Sequence, residues 1–157
     1  ISGQDQVIRL RETKRPVISD IFMAVEGFLA MDIQWPVFDE FGGYAGSISL
    51  LIRPERFFSI LADAGQHTDS DFWIMHPTGT IVYDPDTWEI GRNLFTDPVY
   101  EPFEELRTLG RQMTVKSSGN GAYSFFAVGS DHVVQKKALW RTVRAFDTEL
   151  KLIITYY

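Results

Sequence analysis

The sequence predicts an α+β fold, with helices set apart from a mainly antiparallel sheet. Three observations predict it. Alternating apolar runs flank glycine turns at 28–52 and again at 72–84. Three strand-like segments, "GAYSFFAV", "VVQKKALWRTVRAF" and "ELKLIITYY", close the chain one after another. Two helical apolar stripes, over 54–65 and 98–109, each stand between groups of strands rather than alternating with single strands.

Residues 1–15, "ISGQDQVIRLRETKR", are polar around a Val7, Ile8, Leu10 cluster and predict a short helix. Pro16 favours extended backbone, and "PVISDIF" reads as a short strand. "GFLAMDIQWPVFD" places Leu29, Met31, Ile33 and Trp35 on one face and Asp32 and Gln34 on the other, the period of a half-buried strand. "DEFGGY" turns at Gly42-Gly43, and "YAGSISLLI" returns with Tyr44, Ile48, Leu50 and Ile52 opposite Ser47 and Ser49. An antiparallel hairpin over 28–52 follows. Arg53-Pro54 opens a helix with an apolar stripe of Phe57, Phe58, Ile60 and Leu61, stopped at Gly65. "QHTDSD" is a polar linker.

"FWIMH" and "TIVYD" are strands joined at Pro77-Thr78-Gly79. A polar loop then runs to Asp97-Pro98, an N-cap acid before a first-turn proline. Val99, Phe103, Leu106 and Leu109 make the next helical stripe, with Gly110 as its stop. "SSGNG" reads as a flexible lead into the closing meander, and Asp131-His132 as its first turn. Leu150, Leu152, Ile154 and Tyr156 share one side of the last strand. "WPVFDEFGGYAGSISLLI" and "WRTVRAFDTELKLIITYY" form a weak internal repeat, each strand, turn, strand.

The chain has 157 residues, 45% hydrophobic, with a net charge of −6, enough apolar content for an ordered domain and a sign that argues against nucleic acid as partner. It has no cysteine, which excludes disulfides, thiolate catalysis and cysteine-based zinc sites. No apolar run approaches the roughly 18 residues that cross a bilayer, and no signal peptide is visible. The first residue is Ile1, so the chain reads as a piece of a longer protein, with any membrane anchor and output domain outside it.

Enzyme signatures are missing: no G-x-S-x-G, no P-loop, no G-x-G-x-x-G. His67, His76 and His132 have no ligand-like spacing. Asp84-Pro-Asp86 opens like a calcium loop, but the sixth and twelfth positions hold Glu89 and Phe95 where glycine and glutamate belong. Glu104-Glu105 falls on the solvent side of its helical stripe. No catalytic residue, metal or cofactor is expected.

A ligand pocket is the expectation that the aromatics carry, because Tyr and Trp offer an apolar wall with one polar tip. Trp73 shares a strand face with Met75, Tyr83 ends the next strand, Tyr100 sits in the first turn of the helix, and Tyr123 lies in a closing strand. In "KKALWR", Lys136 and Trp140 share one face, and Lys137 and Arg141 the other. A cation beside an aromatic wall suits a carboxylate-bearing ligand. The candidate ligand-binding set is Trp73, Tyr83, Arg92, Tyr100, Tyr123, Lys137 and Trp140, with residues 84–100 as a lid. Core packing is the competing role for each aromatic, and a loop-capping turn for Arg92.

These segments resemble the Cache domains, the extracytoplasmic PAS-like sensor modules of prokaryotic chemoreceptors and histidine kinases. "KRPVISDIF…GFLAMDIQWPVFDEFGGYAGSISLLIRPERFF" resembles the second half of a membrane-distal module. "FWIMHPTGTIVYDPDTWEIGRNLF" resembles the first hairpin and loop of the next, and "GNGAYSFFAV…VVQKKALWRTVRAF…ELKLIITYY" its closing meander. The resemblance implies a PAS-like five-stranded antiparallel sheet over 67–157, plus strands of a partial distal module over 1–66. The long helix and front hairpin of that distal module are missing, and with them the family's best-defined amino-acid-binding residues. The implied role is a non-enzymatic sensor that binds a small metabolite between the sheet and the loop-plus-helix after its second strand. The alternative is a ligand-free transmitting module. An enzyme would instead show titratable groups converging in one pocket with a perturbed acid or base. Strand edges left open by the missing front predict pairing with a second copy, as a homodimer or by strand exchange.

Overall fold

The computed structural model describes residues 5–64 and 70–157, with backbone alone over 61–64. The expected helix stop at Gly65, His67 and most of the "QHTDSD" linker lie outside the described residues. The chain forms two units: Ile1–Pro54 with Arg144–Thr148, and Glu55–Val143 with Glu149–Tyr157.

In the first unit, α1 (Asp5–Thr13) precedes β1 (Val17–Ile18), β2 (Phe22–Met23), β3 (Leu29–Phe38) and β4 (Tyr44–Ile52). β3 is the spine. It pairs antiparallel with β1 at Ile33 and Gln34, with β2 at Leu29 and Ala30, and with β4 from Met31 to Phe38. The single strand expected over "PVISDIF" is broken in two. Ser19 Oγ donates to the Asp20 carbonyl at 2.7 Å and accepts from the Asp32 N–H at 2.8 Å, so side-chain bonds replace part of the ladder.

The alternation in β3 is real, but the covered face is largely the polar one. Ala30, Asp32 and Gln34 are buried with Met31, whereas Trp35 is 51% exposed. A hydrogen-bond cluster makes this tolerable. Asp32 accepts from Gln34 Nε2 (2.6 Å), Ser49 Oγ (2.7 Å) and Gln6 Nε2 (3.4 Å), and Gln34 Oε1 accepts from Ser47 Oγ (2.8 Å). The helix α1 packs on this face. On the other, Trp35, Ile48 and Leu50 stay exposed, and Phe146 meets Trp35 edge-on with ring centres 5.7 Å apart.

The second unit contains α2 (Pro54–Ala64), β5 (Ser70–Met75), β6 (Ile81–Tyr83), α3 (Glu104–Val115), β7 (Ser118–Phe126), β8 (Val133–Ala145) and β9 (Thr148–Tyr156). The last five strands form one sheet in the order β6-β5-β9-β8-β7, the five-stranded PAS-like sheet that was expected. The sheet of the first unit is separate from it. The core of the second unit lies between the β5–β9–β8–β7 face and α3. It holds Met75, Ile81, Leu94, Tyr100, Leu109, Met113, Tyr123, Phe125, Trp140 and Ile153.

Four local expectations need correction. The helix expected over 98–109 is a 3-10 turn, Pro98–Tyr100, followed by α3, which starts only at Glu104. Gly110 does not stop α3. It is buried mid-helix because Leu94 packs against it, where an added Cβ would come within 2.4 Å of Leu94 Cδ2. "SSGNG" is no flexible lead: β7 begins at Ser118 and pairs with β8 throughout. Its glycines serve close packing, since a Cβ on Gly119 would lie 2.2 Å from the Trp140 ring and one on Gly121 2.4 Å from Leu109. In β9, Thr148, Leu150, Lys151, Ile153 and Thr155 are buried, while Ile154 and Tyr156 are exposed, so the side expected from Leu150, Leu152, Ile154 and Tyr156 is not one buried face.

Candidate ligand-binding site

The β5–β6 hairpin closes at His76–Thr80, with His76 N–H donating to the Thr80 carbonyl and Gly79 N–H to the His76 carbonyl, both at 2.8 Å. Gly79 has φ +96, which an L side chain rarely adopts, and Phe95 lies where its Cβ would be. The chain then leaves the sheet at Asp84 and returns beside it. Ile81 N–H donates to the Arg92 carbonyl, Gly91 N–H to Ile81, and Leu94 N–H to Gly79. The excursion over 84–90 is thus clamped at its base.

Side chains hold the rest. Asp84 Oδ1 accepts from the Asp86 N–H, and Asp86 Oδ1 from the Gly129 N–H in the β7–β8 turn, both at 2.8 Å. Arg92 donates to the Trp88 carbonyl (3.0 Å) and pairs with Asp97 (2.8 Å). Asp97 accepts from the Val99 N–H, capping the 3-10 turn that points Tyr100 into the core. That bond and the Arg92 guanidinium hold the Asp97 carboxyl below its ordinary range. Tyr100 is fully buried and donates its hydroxyl to Glu89 Oε2 at 2.9 Å.

Beneath this loop lies a cavity of about 20 Å³, room for one water-sized group. Its walls are Trp73, Tyr100, Tyr123 and Phe125. Its polar lining includes Asp84, Glu89, Lys136 and buried Thr155, with half-buried Asp71 and Pro85 and exposed Val128 at its border. Burial, then the charge of Glu89, pushes the Asp84 carboxyl well up. Burial pushes Glu89 up to about 7, against the Tyr100 hydrogen bond and the Lys136 charge, which act downward. The hydroxyls of Tyr100 and Tyr123 are raised as well, burial first and the neighbouring carboxylates after it. One oxygen each from Asp84, Asp86 and Glu89 lies within 4.8 Å of the others.

Of the seven residues marked in the sequence, the structure brings Trp73, Tyr100 and Tyr123 together around the cavity. The other four lie off its lining. Tyr83 is buried but stacks on Phe72, ring centres 4.9 Å apart. Arg92 braces the loop. Lys137 is exposed, 6.0 Å above the Tyr156 ring, because strand alternation sends its neighbour Lys136 inward instead. Trp140 is buried over Gly119. Asp84, Glu89 and Lys136, outside the candidate set, also line the cavity. The signal for Asp84 was the Asp84-Pro-Asp86 acid pair, set aside on spacing. Glu89 carried none, since a 3-10 turn at Thr87–Glu89 is what turns it inward.

Residues 1–54 match the family described as "HK/GC/Chemotaxis protein-like, sensor domain". No curated protein matches the sequence. Among solved structures, the whole chain aligns with 25% of an extracellular ligand binding receptor from Desulfohalobium retbaense DSM5692, at 33% identity and TM-score 0.73. Over 96% of its length it also aligns with 54% of the periplasmic sensory domain of a Campylobacter jejuni chemoreceptor, at 17% identity and TM-score 0.62. An equal share aligns with 53% of the ligand binding domain of the Pseudomonas aeruginosa PAO1 amino acid chemoreceptor PctB in complex with L-Arg, at 11% identity and TM-score 0.64. The chain spans a quarter to about half the length of these structures. No helix among the described residues is long and apolar enough to cross a membrane. The extracytoplasmic ligand-sensing role expected from the sequence fits these neighbours. In fold the chain is similar to Cache-like sensor domains, and its first third matches the sensor-domain family.

Proposed function

We propose that this chain is the extracytoplasmic sensing part of a longer membrane-anchored signalling protein, and that it binds a small metabolite non-covalently beneath residues 84–100. The observation that carries this is the clamped loop itself, which delivers Tyr100 and Glu89 over a cavity walled by aromatics. A ligand seated there would act on the output domain only through different affinity for two states of the module. The module boundaries belong to the same proposal: a partial distal module over 1–66 and a complete one over 67–157.

A carboxylate-bearing ligand finds its cation in Lys136, not Lys137. Pairing of two copies has its support in the exposed apolar face of Trp35, Ile48, Leu50 and Phe146. One observation favours a second reading, an enzyme: Asp84 and Glu89 converge in one cavity with raised carboxyl pKa values. The 33% identity with a ligand binding receptor favours the sensor.

Isothermal calorimetry of the chain against amino acids, organic acids and amines tests the proposal, with product analysis after incubation. Saturable binding of an unaltered compound, weakened by Trp73→Ala, is expected. Turnover would establish the enzyme. Binding indifferent to Trp73→Ala would place the ligand elsewhere.

A further inference from the structure

We propose that the groove between α3 and the free edge of β7 receives an extended, basic segment of a partner protein, added to the sheet as one further strand. The groove shares no lining residue with the cavity beneath residues 84–100, and its occupant is independent of any ligand sensed there.

β7 ends the sheet order β6-β5-β9-β8-β7, so β8 pairs with one of its sides only. The backbone groups of an antiparallel strand point alternately to its two sides. Hydrogen bonds on either side fix the alternation. The Ser117 carbonyl accepts from Thr142 N–H on the β8 side at 2.6 Å. The Ser124 N–H points away from β8 and donates to Glu105 Oε2 at 3.1 Å. Ser118, Asn120 and Ala122 share the direction of Ser124, and all three are exposed. Their N–H and carbonyl groups therefore face outward. Glu105 covers the edge at Ser124. From Ser118 to Ala122 the strand has no proline and no charged side chain, the usual devices that close an edge to pairing.

The groove beside that edge measures about 430 Å³. α3 supplies Glu104, Glu105, Thr108 and Gln112 to it, and β7 supplies the exposed Asn120 and Ala122. Leu109 packs against Gly121 at its inner side. An extended segment matched to 118–122 needs about five residues and takes its backbone partners from the edge itself.

The overhang of α3 selects a lone segment over a second copy. Glu105 reaches from α3 to the outward N–H of Ser124. Paired strands lie about 4.8 Å apart, whereas packed helices need about 8–10 Å between their axes. A second β7 paired here would drive its own α3 into this one. A segment without a helix does not. Charge selects the chemistry of that segment. Glu104 and Glu105 line the groove, no lysine or arginine does, and the chain has a net charge of −6. Arg107 and Arg111 reach Glu104 at 3.5 Å and 3.6 Å from outside the lining. Among the described residues, no ion pair is made by Glu105. A lysine or arginine arriving beside Ser124 supplies its counter-charge.

The test is fluorescence anisotropy on the full 157-residue chain with matched labelled probes. The first is a capped peptide of alternating threonine and valine with a lysine at each end. The second has glutamate at each end. The third keeps the lysines but is N-methylated at alternate backbone amides, which stops strand pairing. Saturable binding of the first probe, at least tenfold tighter than that of the others, is expected, with slowed hydrogen exchange at the Asn120 and Ala122 amides. Ala122→Pro removes an outward donor and none of those bonded to β8, and should weaken binding at least tenfold. Glu105→Gln should weaken it about threefold, and Glu12→Gln on α1 should leave it unchanged. Melting curves establish that each variant folds, and the N-methylated probe tests the pairing without any variant. Equal binding of the N-methylated probe overturns strand addition, and equal binding of the glutamate probe overturns the charge assignment. A dimer in sedimentation that Ala122→Pro dissolves gives the edge to a second copy and overturns the proposal, as does no binding by any probe. All of these outcomes leave the sensor reading standing.

Discussion

Tyr100 and Glu89, eleven residues apart, meet in a buried hydrogen bond of 2.9 Å from hydroxyl to carboxylate. The bond ties the two 3-10 turns of the loop to each other and opposes the burial that raises the Glu89 carboxyl. Among the influences on Glu89, the Tyr100 bond is the largest that pulls its pKa down.

Removing the donor tests that coupling. In Tyr100→Phe the Glu89 titration midpoint is expected to move above its present value of about 7, read by carbon-13 NMR of the side-chain carboxyl. Stability to urea should fall by roughly 1 kcal/mol, the net worth of one such bond.

The pH dependence of folding follows from the direction of the Glu89 shift. A carboxyl that holds its proton up to about 7 when folded, and only to 4.5 when unfolded, costs stability once both states have released it. Stability from this group is therefore greatest below pH 4.5, falls between 4.5 and 7, and is level above that. Glu89→Gln keeps an acceptor for Tyr100 and removes the ionisation. Urea titrations should show the variant more stable than wild type at pH 8 by roughly 1–3 kcal/mol, with the gap closing toward pH 4.5.

Gly110→Ala sets two effects against each other. Alanine is the better helix former by about 1 kcal/mol. The new Cβ would sit 2.4 Å from Leu94 Cδ2, and Leu94 is 1% exposed, with no room to swing away. Overpacking costs about 1–3 kcal/mol. A net loss is expected, measured as a lower urea midpoint, with Leu94→Ala in the same chain recovering part of it.

The buried polar face of β3 has its own test. Asp32→Ala strips the acceptor from Gln34, Ser49 and Gln6 while those groups stay in place. A loss of about 2–3 kcal/mol is expected, because unsatisfied buried donors cost more than a missing bond. Asp32→Ala with Ser49→Ala should lose less than the two separate losses added.

The strands were legible because alternation is written locally. The hairpin over β3 and β4, the β5–β6 hairpin and the closing meander all stand where period two placed them. Their inner faces were not legible in the same way. Period two separates Trp35 from Asp32 but does not say which neighbour will cover which side, and α1 covers the side of Asp32. The glycines misled for a related reason. Gly110, Gly119 and Gly121 look like breaks, yet each is small so that Leu94, Trp140 or Leu109 can approach it.

The amino-acid sequence by itself determined the α+β class, the order of strands and helices, the lack of any thiol chemistry and the aromatic supply of Trp73, Tyr100 and Tyr123. These depend on composition and on spacing along the chain. Tertiary structure alone decided that Asp84, Glu89 and Lys136 line the cavity while Lys137, Arg92 and Trp140 do not. The physical reason is that side-chain direction in an irregular loop is set by bonds to distant partners. For Asp86 the partner is Gly129, and for Glu89 it is Tyr100.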